Sequence, residues 1–228
     1  MSSELDDILE LINYYHKELK YSTVAKDYLK SRGIIKESII RFKIGYCPHN
    51  PTKGHIKYQD RIIFPYWNTQ DEIVGWIGRT LVDGPKKYLN TPESAIFKKS
   101  KLLYGYNFAK KAIFKTKTAV LVEGQMDIIL LQQAGIFNTV AASTAGIKET
   151  GANLLSRFAK RVYIAFDGDE AGYKGAIASQ LELVKSGMPD VIIVKMPDKE
   201  DPASFIQQYG KDGFLRLLYE HRQVKTLT

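Results

Sequence analysis

The sequence predicts an α/β chain, with an α+β opening followed by a mostly parallel sheet that carries helices on its faces. Three observations predict it. After Thr118 short apolar strands alternate with helical stretches, the pattern of parallel strands joined by crossover helices. From Arg61 apolar residues recur at every second position on either side of a polar turn, which predicts a β-hairpin. Before that, apolar residues recur at helical spacing.

Taken in order, Leu5, Ile8, Leu9, Ile12, Tyr15 and Leu19 form the stripe of an amphipathic first helix. A second is expected to start at Ser22, turn Val24, Ala25, Tyr28 and Leu29 inward, and stop at Gly33. A third covers Glu37 to Phe42. The hairpin runs from Arg61 to Trp67, turns through Asn68 to Asp71, and returns from Ile73 to Arg79. A polar segment from Asp83 to Lys101 follows, punctuated by Gly84-Pro85 and Thr91-Pro92. Strands are then expected at Ala119–Val122, Thr139–Ala142, Val162–Phe166 and Val191–Val194. Helices are expected at Met126–Ala134, Gly151–Phe158, Ala171–Ser186 and Pro202–Tyr209. The change of pattern and charge divides the chain into residues 1–117 and 118–228.

The formal charge is +8, from 33 basic and 25 acidic residues. Residues 1–52 hold 8 basic and 7 acidic, residues 53–117 hold 13 and 5, and residues 118–228 hold 12 and 13. The whole excess therefore sits in the middle segment, and a local basic field beside a neutral remainder points to a polyanion partner, nucleic acid or nucleotide. No apolar run approaches the ~20 residues of a bilayer-crossing helix, and the opening residues hold no secretory h-region. A cytoplasmic protein without membrane contact is expected. Cys47 is the one cysteine, so disulfide and zinc-finger frameworks are excluded. Its irregular spacing to His49 and His55, across Pro48, argues against zinc and for a buried thiol with surface histidines.

In an open parallel sheet, ligands bind outside the carboxyl ends of the strands. The first predicted strand ends in Glu123-Gly124, the third in Asp167-Gly168-Asp169, and the segment after the fourth carries Asp198, Glu200 and Asp201. Carboxylates that crowd one rim repel each other unless a hard cation neutralises them, which points to Mg²⁺. Two such ions suit phosphoryl or nucleotidyl transfer. Asp-Gly-Asp alone is more often a solvated turn, and Ala171 at the third ligand position with no Glu at the twelfth argues against an EF-hand. The coincidence of three strands is what favours metal. Asp127, one helical turn beyond Glu123, either lines the same rim or caps the helix.

Glu123-Gly-Gln-Met-Asp127, Asp167-Gly-Asp169-Glu-Ala-Gly172 and Pro197-Asp-Lys-Glu-Asp201-Pro resemble the Toprim signature of bacterial DnaG-type primases. Upstream, Tyr28-Leu-Lys-Ser-Arg-Gly33 and Phe42-Lys-Ile-Gly-Tyr46 look like the opening of the primase RNA-polymerase domain. Arg61-Ile-Ile-Phe-Pro65, Gly75-Trp-Ile-Gly-Arg79, Lys87-Tyr-Leu-Asn90 and Phe97-Lys-Lys-Ser-Lys-Leu-Leu-Tyr-Gly105 continue the match in register.

The resemblance implies a basic helical and β primase subdomain followed by a Toprim, Rossmann-like catalytic subdomain. It implies synthesis of short RNA primers on a single-stranded DNA template from ribonucleoside triphosphates, leaving an RNA–DNA hybrid. It implies Glu123, Asp167, Asp169 and Asp201 as catalytic acids that hold two Mg²⁺ or Mn²⁺ ions, with Glu123 either ligating or acting as acid/base. Arg61, Arg79, Lys87, Asn90 and Lys99 fall on positions that contact template or triphosphate. Many relatives carry a further Asp where Ala203 stands here, so one metal site is expected to be weaker or differently completed. The zinc-binding, following helical and helicase-binding parts of relatives find no match, which implies an excerpt or a minimal primase, with any replicative-helicase contact lying outside this sequence. A Toprim nuclease or topoisomerase-like strand cleaver and a non-catalytic nucleic-acid-binding module stay open as alternatives.

Overall fold

The computed structural model describes residues 2–142 and 145–226. The chain packs into two compact units, Met1–Lys98 and Lys99–Thr228.

The first unit opens with α1 (Ser2–Glu18), α2 (Thr23–Ser31) and α3 (Lys36–Arg41). The side chain of Ser22 caps α2 by accepting from the Ala25 N–H at 3.2 Å, which places the helix start where the sequence predicts it. Ile12, Tyr15 and Leu19 are buried as expected, but Leu9 is 42% exposed and Val24 64% exposed. Both lie at the edge of their stripes, where a one-residue step of 100° carries a side chain to solvent.

Next come β1 (Gly45–Cys47), a 3₁₀ turn (Ile56–Tyr58), β2 (Arg61–Trp67), β3 (Ile73–Thr80) and β4 (Tyr88–Asn90). They form one antiparallel sheet in the order β1-β2-β3-β4. The predicted β2–β3 hairpin closes through Asn68, whose Oδ1 accepts from the N–H groups of Gln70 and Glu72 at 2.9 and 3.0 Å. Such a side-chain turn fixes the register with no glycine. Both faces of β2 are covered, since Arg61 to Tyr66 are all buried. Ile63 joins Ile12, Tyr15, Tyr58 and Trp76 in one core, while Tyr66 packs its ring 5.3 Å from that of Phe97. Trp76 is thus core packing, at 4% exposure.

The second unit contains a 3₁₀ turn (Lys99–Lys101), α4 (Tyr106–Thr116), β5 (Thr118–Val122), α5 (Gln125–Gln133) and β6 (Thr139–Ala141). It continues with α6 (Glu149–Phe158), β7 (Arg161–Ile164), α7 (Glu170–Lys185), β8 (Asp190–Ile193) and α8 (Pro202–Thr226). The sheet is parallel throughout, in the order β6-β5-β7-β8. The predicted strands and helices of this part all form, with ends shifted by no more than two residues except in α8, which runs on to Thr226.

The unit boundary differs from the expected one at 117. Tyr106, Ala109 and Ile113 of α4 share a core with Ala119 and Leu121 of β5, so compactness assigns α4 to the sheet it covers. The lysine-rich surface of α4 masks this short apolar stripe in the sequence. The helix expected at Pro202–Tyr209 resumes after a kink at Gly210, which adopts φ 67°. No described helix is long and apolar enough to cross a membrane.

Candidate functional site

In a parallel sheet every carboxyl end points the same way. The chain leaves β5 toward β6 on one side and returns to β7 on the other, so the β5/β7 boundary is the topological switch point, where such sheets open a crevice. Glu123 follows β5 directly, and its Oε1 accepts from the Asp167 N–H at 3.0 Å. This one bond ties the two strand ends together across the switch point.

Asp169 caps α7, with its Oδ1 2.7 Å from the Gly172 N–H. Around it the backbone is too close for any side chain but hydrogen. A Cβ on Gly168 would overlap the Pro197 carbonyl oxygen, and one on Gly172 would overlap the Asp167 carbonyl oxygen. The close approach is held by main-chain bonds from Gly168 N–H to the Glu200 carbonyl at 2.8 Å and from Lys199 N–H to the Gly168 carbonyl at 3.1 Å. The Asp167–Asp169 turn is thereby clamped to the Pro197–Asp201 turn. Asp201 caps α8: its Oδ1 accepts from the Ser204 N–H at 2.6 Å, while the Ser204 hydroxyl accepts from the Asp201 N–H at 3.0 Å.

Asp127 resolves in a way the sequence left open. Its two oxygens accept from Gly124 N–H at 3.0 Å and from Ala203 N–H at 3.3 Å, so it caps α5 and also reaches the first turn of α8. Ala203 thus enters the site through its backbone. Burial, and behind it the charges of Asp167 and Asp201, pushes the Asp127 carboxyl up to about 8. Burial also raises Glu123, against the pull of the Asp167 N–H and helped by the Asp169 charge. Five carboxylates therefore sit on one rim. Among the described residues no three His, Cys, Asp or Glu side chains converge on a single point, because Glu123, Asp127, Asp169 and Asp201 are each turned onto main-chain N–H donors.

A cavity of about 350 Å³ opens beside this rim, with Asp167, Asp169, Tyr173, Lys195 and Asp198 among its lining residues. The Lys195 backbone is fixed there by its N–H donating to His221 Nε2 at 3.0 Å, while His221 Nδ1 donates to the Leu217 carbonyl at 2.9 Å. Lys195 and His221 escaped the sequence reading. Only the fold brings α8 back along β8.

The basic residues divide. Arg79 and Lys87 line a groove of about 360 Å³ in the first unit. The Arg79 guanidinium lies 4.4 Å from the centroid of the Tyr28 ring, a cation–π contact that holds it in place. Tyr28 carries no local sign of this role, being far from Arg79 in sequence. Lys87 stands 6.0 Å from the Tyr88 ring centroid. Arg61 requires a correction. It is only 4% exposed, and its Nη1 donates to the carbonyls of Gly78 at 3.2 Å and Lys86 at 2.9 Å. A guanidinium so enclosed clamps the β3–β4 connection and presents no open face to a polyanion. Asn90 is partly buried on β4 and its carbonyl accepts from the Tyr58 hydroxyl at 2.7 Å, while Lys99 lies on the 3₁₀ turn of the second unit.

A family model described as "DNA primase catalytic core, N-terminal domain" matches residues 52–110, and a "Toprim-like" model matches residues 120–206. DNA primase of Clostridium acetobutylicum is 34% identical over 92% of this chain and 39% of its own length. The Aquifex aeolicus enzyme is 35% identical over 90% of this chain and 47% of its own. The chain thus spans from two fifths to about half of these curated relatives. The solved zinc-binding and RNA-polymerase domains of Aquifex aeolicus primase superpose with a TM-score of 0.89 at 32% identity, over 95% of this chain and 60% of that one. A DnaG catalytic domain bound to single-stranded DNA gives 0.85 at 27%, over 96% and 81%. With both halves matched in order and the acidic rim at the switch point, the chain belongs to the family of bacterial DnaG-type primase catalytic cores.

Proposed function

We propose that this chain synthesises short RNA primers on single-stranded DNA by metal-dependent nucleotidyl transfer. The observation that carries this reading is the gathering of five acidic side chains on the rim at the carboxyl ends of the sheet, with burial raising Glu123 and pushing Asp127 up to about 8. The donor set fits a hard divalent cation such as Mg²⁺ or Mn²⁺, since the rim offers carboxylate oxygen and neither thiolate nor imidazole.

Asp167, Asp169 and Asp201, with Glu123, are the residues that would hold it. When bound, such a cation lowers the pKa of the primer 3′-hydroxyl and neutralises the triphosphate. Asp127 joins the first turns of α5 and α8 and so sets the spacing of Glu123 and Asp201. Glu123 holds the Asp167 backbone in place across the switch point. In the first unit Arg79 binds a phosphate through two parallel N–H donors, Lys87 acts as a point charge and Asn90 adds a polar contact, while Lys99 of the second unit adds another to template or triphosphate. A relative's catalytic domain has been solved with single-stranded DNA, which supports that template as partner.

The test is a priming assay with a single-stranded template, ribonucleoside triphosphates and Mg²⁺ or Mn²⁺. Asp169→Asn is the informative variant. Asn caps a helix about as well as Asp, so α7 stays intact while the charge is lost, and incorporation should fall by about 100-fold or more. Undiminished incorporation would falsify the metal assignment. DNA cleavage without incorporation would instead favour a Toprim nuclease.

A further inference from the structure

On the side of α2 away from Tyr28 lies a second groove of the first unit, about 660 Å³ in volume. Lys26 and Lys30 are one helical turn apart and both lie on its wall, whereas Tyr28 falls roughly 160–200° around the helix from them. The end of α1 with the two residues after it, Ile34, and one face of α3 supply the rest. Leu19, Ile34, Ile39 and Ile40 make the floor, and Lys20 and Lys36 complete the rim, with Asp27 as the one acid.

Three features set this groove apart. The floor is aliphatic, and Ile40 is 58% exposed although it faces a groove, so covering it removes apolar area from water. The four lysines carry the same sign, and among the described residues no ion pair engages Lys20, Lys30 or Lys36. Finally, the only ring on the lining is that of His16, whose Nδ1 donates to the Ile44 carbonyl at 2.7 Å. Single-stranded nucleic acid is held by bases stacked on aromatic faces beside a cationic track, and here the cations surround aliphatic side chains instead.

We infer that this groove receives an acidic amphipathic helix of a partner protein, its apolar residues seated on Ile34, Ile39 and Ile40 and its carboxylates facing Lys20, Lys26, Lys30 and Lys36. The chemistry is that of a helix laid into a hydrophobic groove, read at i, i+3, i+4 and i+7, with the charged rim setting partner choice. The inference does not depend on primer synthesis, because none of these side chains belongs to the acidic rim or to the Arg79 groove.

The test uses the whole chain and a fluorescein-labelled helical peptide with Leu at i, i+3, i+4 and i+7 and Glu elsewhere. A counterpart with Lys for Glu and a labelled oligo(dT) serve as comparisons, all read by anisotropy. The Glu peptide should bind, more weakly as salt rises, and the Lys peptide should not. Ile40→Asp and the pair Lys26→Glu/Lys30→Glu change exposed side chains, so thermal melts should match the parent. Each should weaken the Glu peptide by about tenfold or more, and Ile40→Asp should leave oligo(dT) binding and priming unchanged. The inference is overturned if the Glu peptide fails to bind, or if Ile40→Asp leaves its affinity intact. It is equally overturned if oligo(dT) displaces the peptide, or if sedimentation shows a self-association that the same variants abolish.

Discussion

In the second unit Glu123, Asp127, Asp169 and Asp201 each accept from a main-chain N–H, whereas in the first unit Arg79 and Lys87 lie against aromatic rings beside an open groove. The acids are consequently part of the fold, and their removal strikes stability together with chemistry. The surface cations are held by weak contacts and can change with little effect on folding. Arg61 tests the rule from the other side. It is basic, yet its enclosure among carbonyls makes it behave like the acids.

The largest way to break the comparison is at Gly168. Gly168→Ala drives a methyl into the Pro197 carbonyl, and because backbone meets backbone no rotamer relieves it. Unfolding free energy from urea titration should fall by about 3 kcal/mol. An unchanged midpoint would show that the two turns are free to separate.

Asp127 gives the next effect, and its sign follows from burial. Its folded value of about 8 lies above the unfolded one near ~4, so the folded chain holds the proton more tightly. The stability this contributes is whole below about pH 4 and is lost as pH rises through about 8. Asp127→Asn should cost about 1–2 kcal/mol at low pH, since its amide nitrogen cannot accept the second N–H. It should also flatten the decline between those pH values. A wild-type stability that climbs across this interval would refute the assignment.

The third pair sets Arg61→Met against Arg79→Ala. The first leaves buried carbonyls without a donor and should destabilise by about 1–3 kcal/mol. The second should shift stability by no more than about 0.5 kcal/mol but weaken single-stranded DNA binding and lower its salt slope by about one unit. If Arg61→Met instead weakened DNA binding with no loss of stability, the correction at that residue would be reversed.

The smallest effect concerns Cys47. The thiol is fully buried, and burial pushes its pKa up to about 11. Iodoacetamide at mildly alkaline pH should leave the native chain unmodified by mass spectrometry and label it once in urea.

Much of the site was legible because the physics that marks it is local. Acids placed directly after apolar runs of β-branched residues must arrive at the carboxyl ends of strands, and that located Glu123, Asp167 and Asp169 before any coordinates. A charge count located the basic segment equally well. Arg61 was misread because a strand-borne arginine looks the same in sequence whether it faces solvent or carbonyls. Asp127 stayed ambiguous because capping one helix and reaching another are both compatible with its position.

By itself the sequence determined the type of most elements, though not of β1, β4 or α4, and with them the hairpin, the parallel sheet and the list of acids, since periodicity, turn chemistry and composition act over a few residues at a time. Only the tertiary structure decided which strands are neighbours, and hence that β5 and β7 bring Glu123 to Asp167. It also decided that Tyr28 backs Arg79, that Asp127 reaches the backbone of Ala203, and that two glycines let one turn press against another. These are contacts between segments distant in the chain, fixed by packing, and packing is a property of the folded whole.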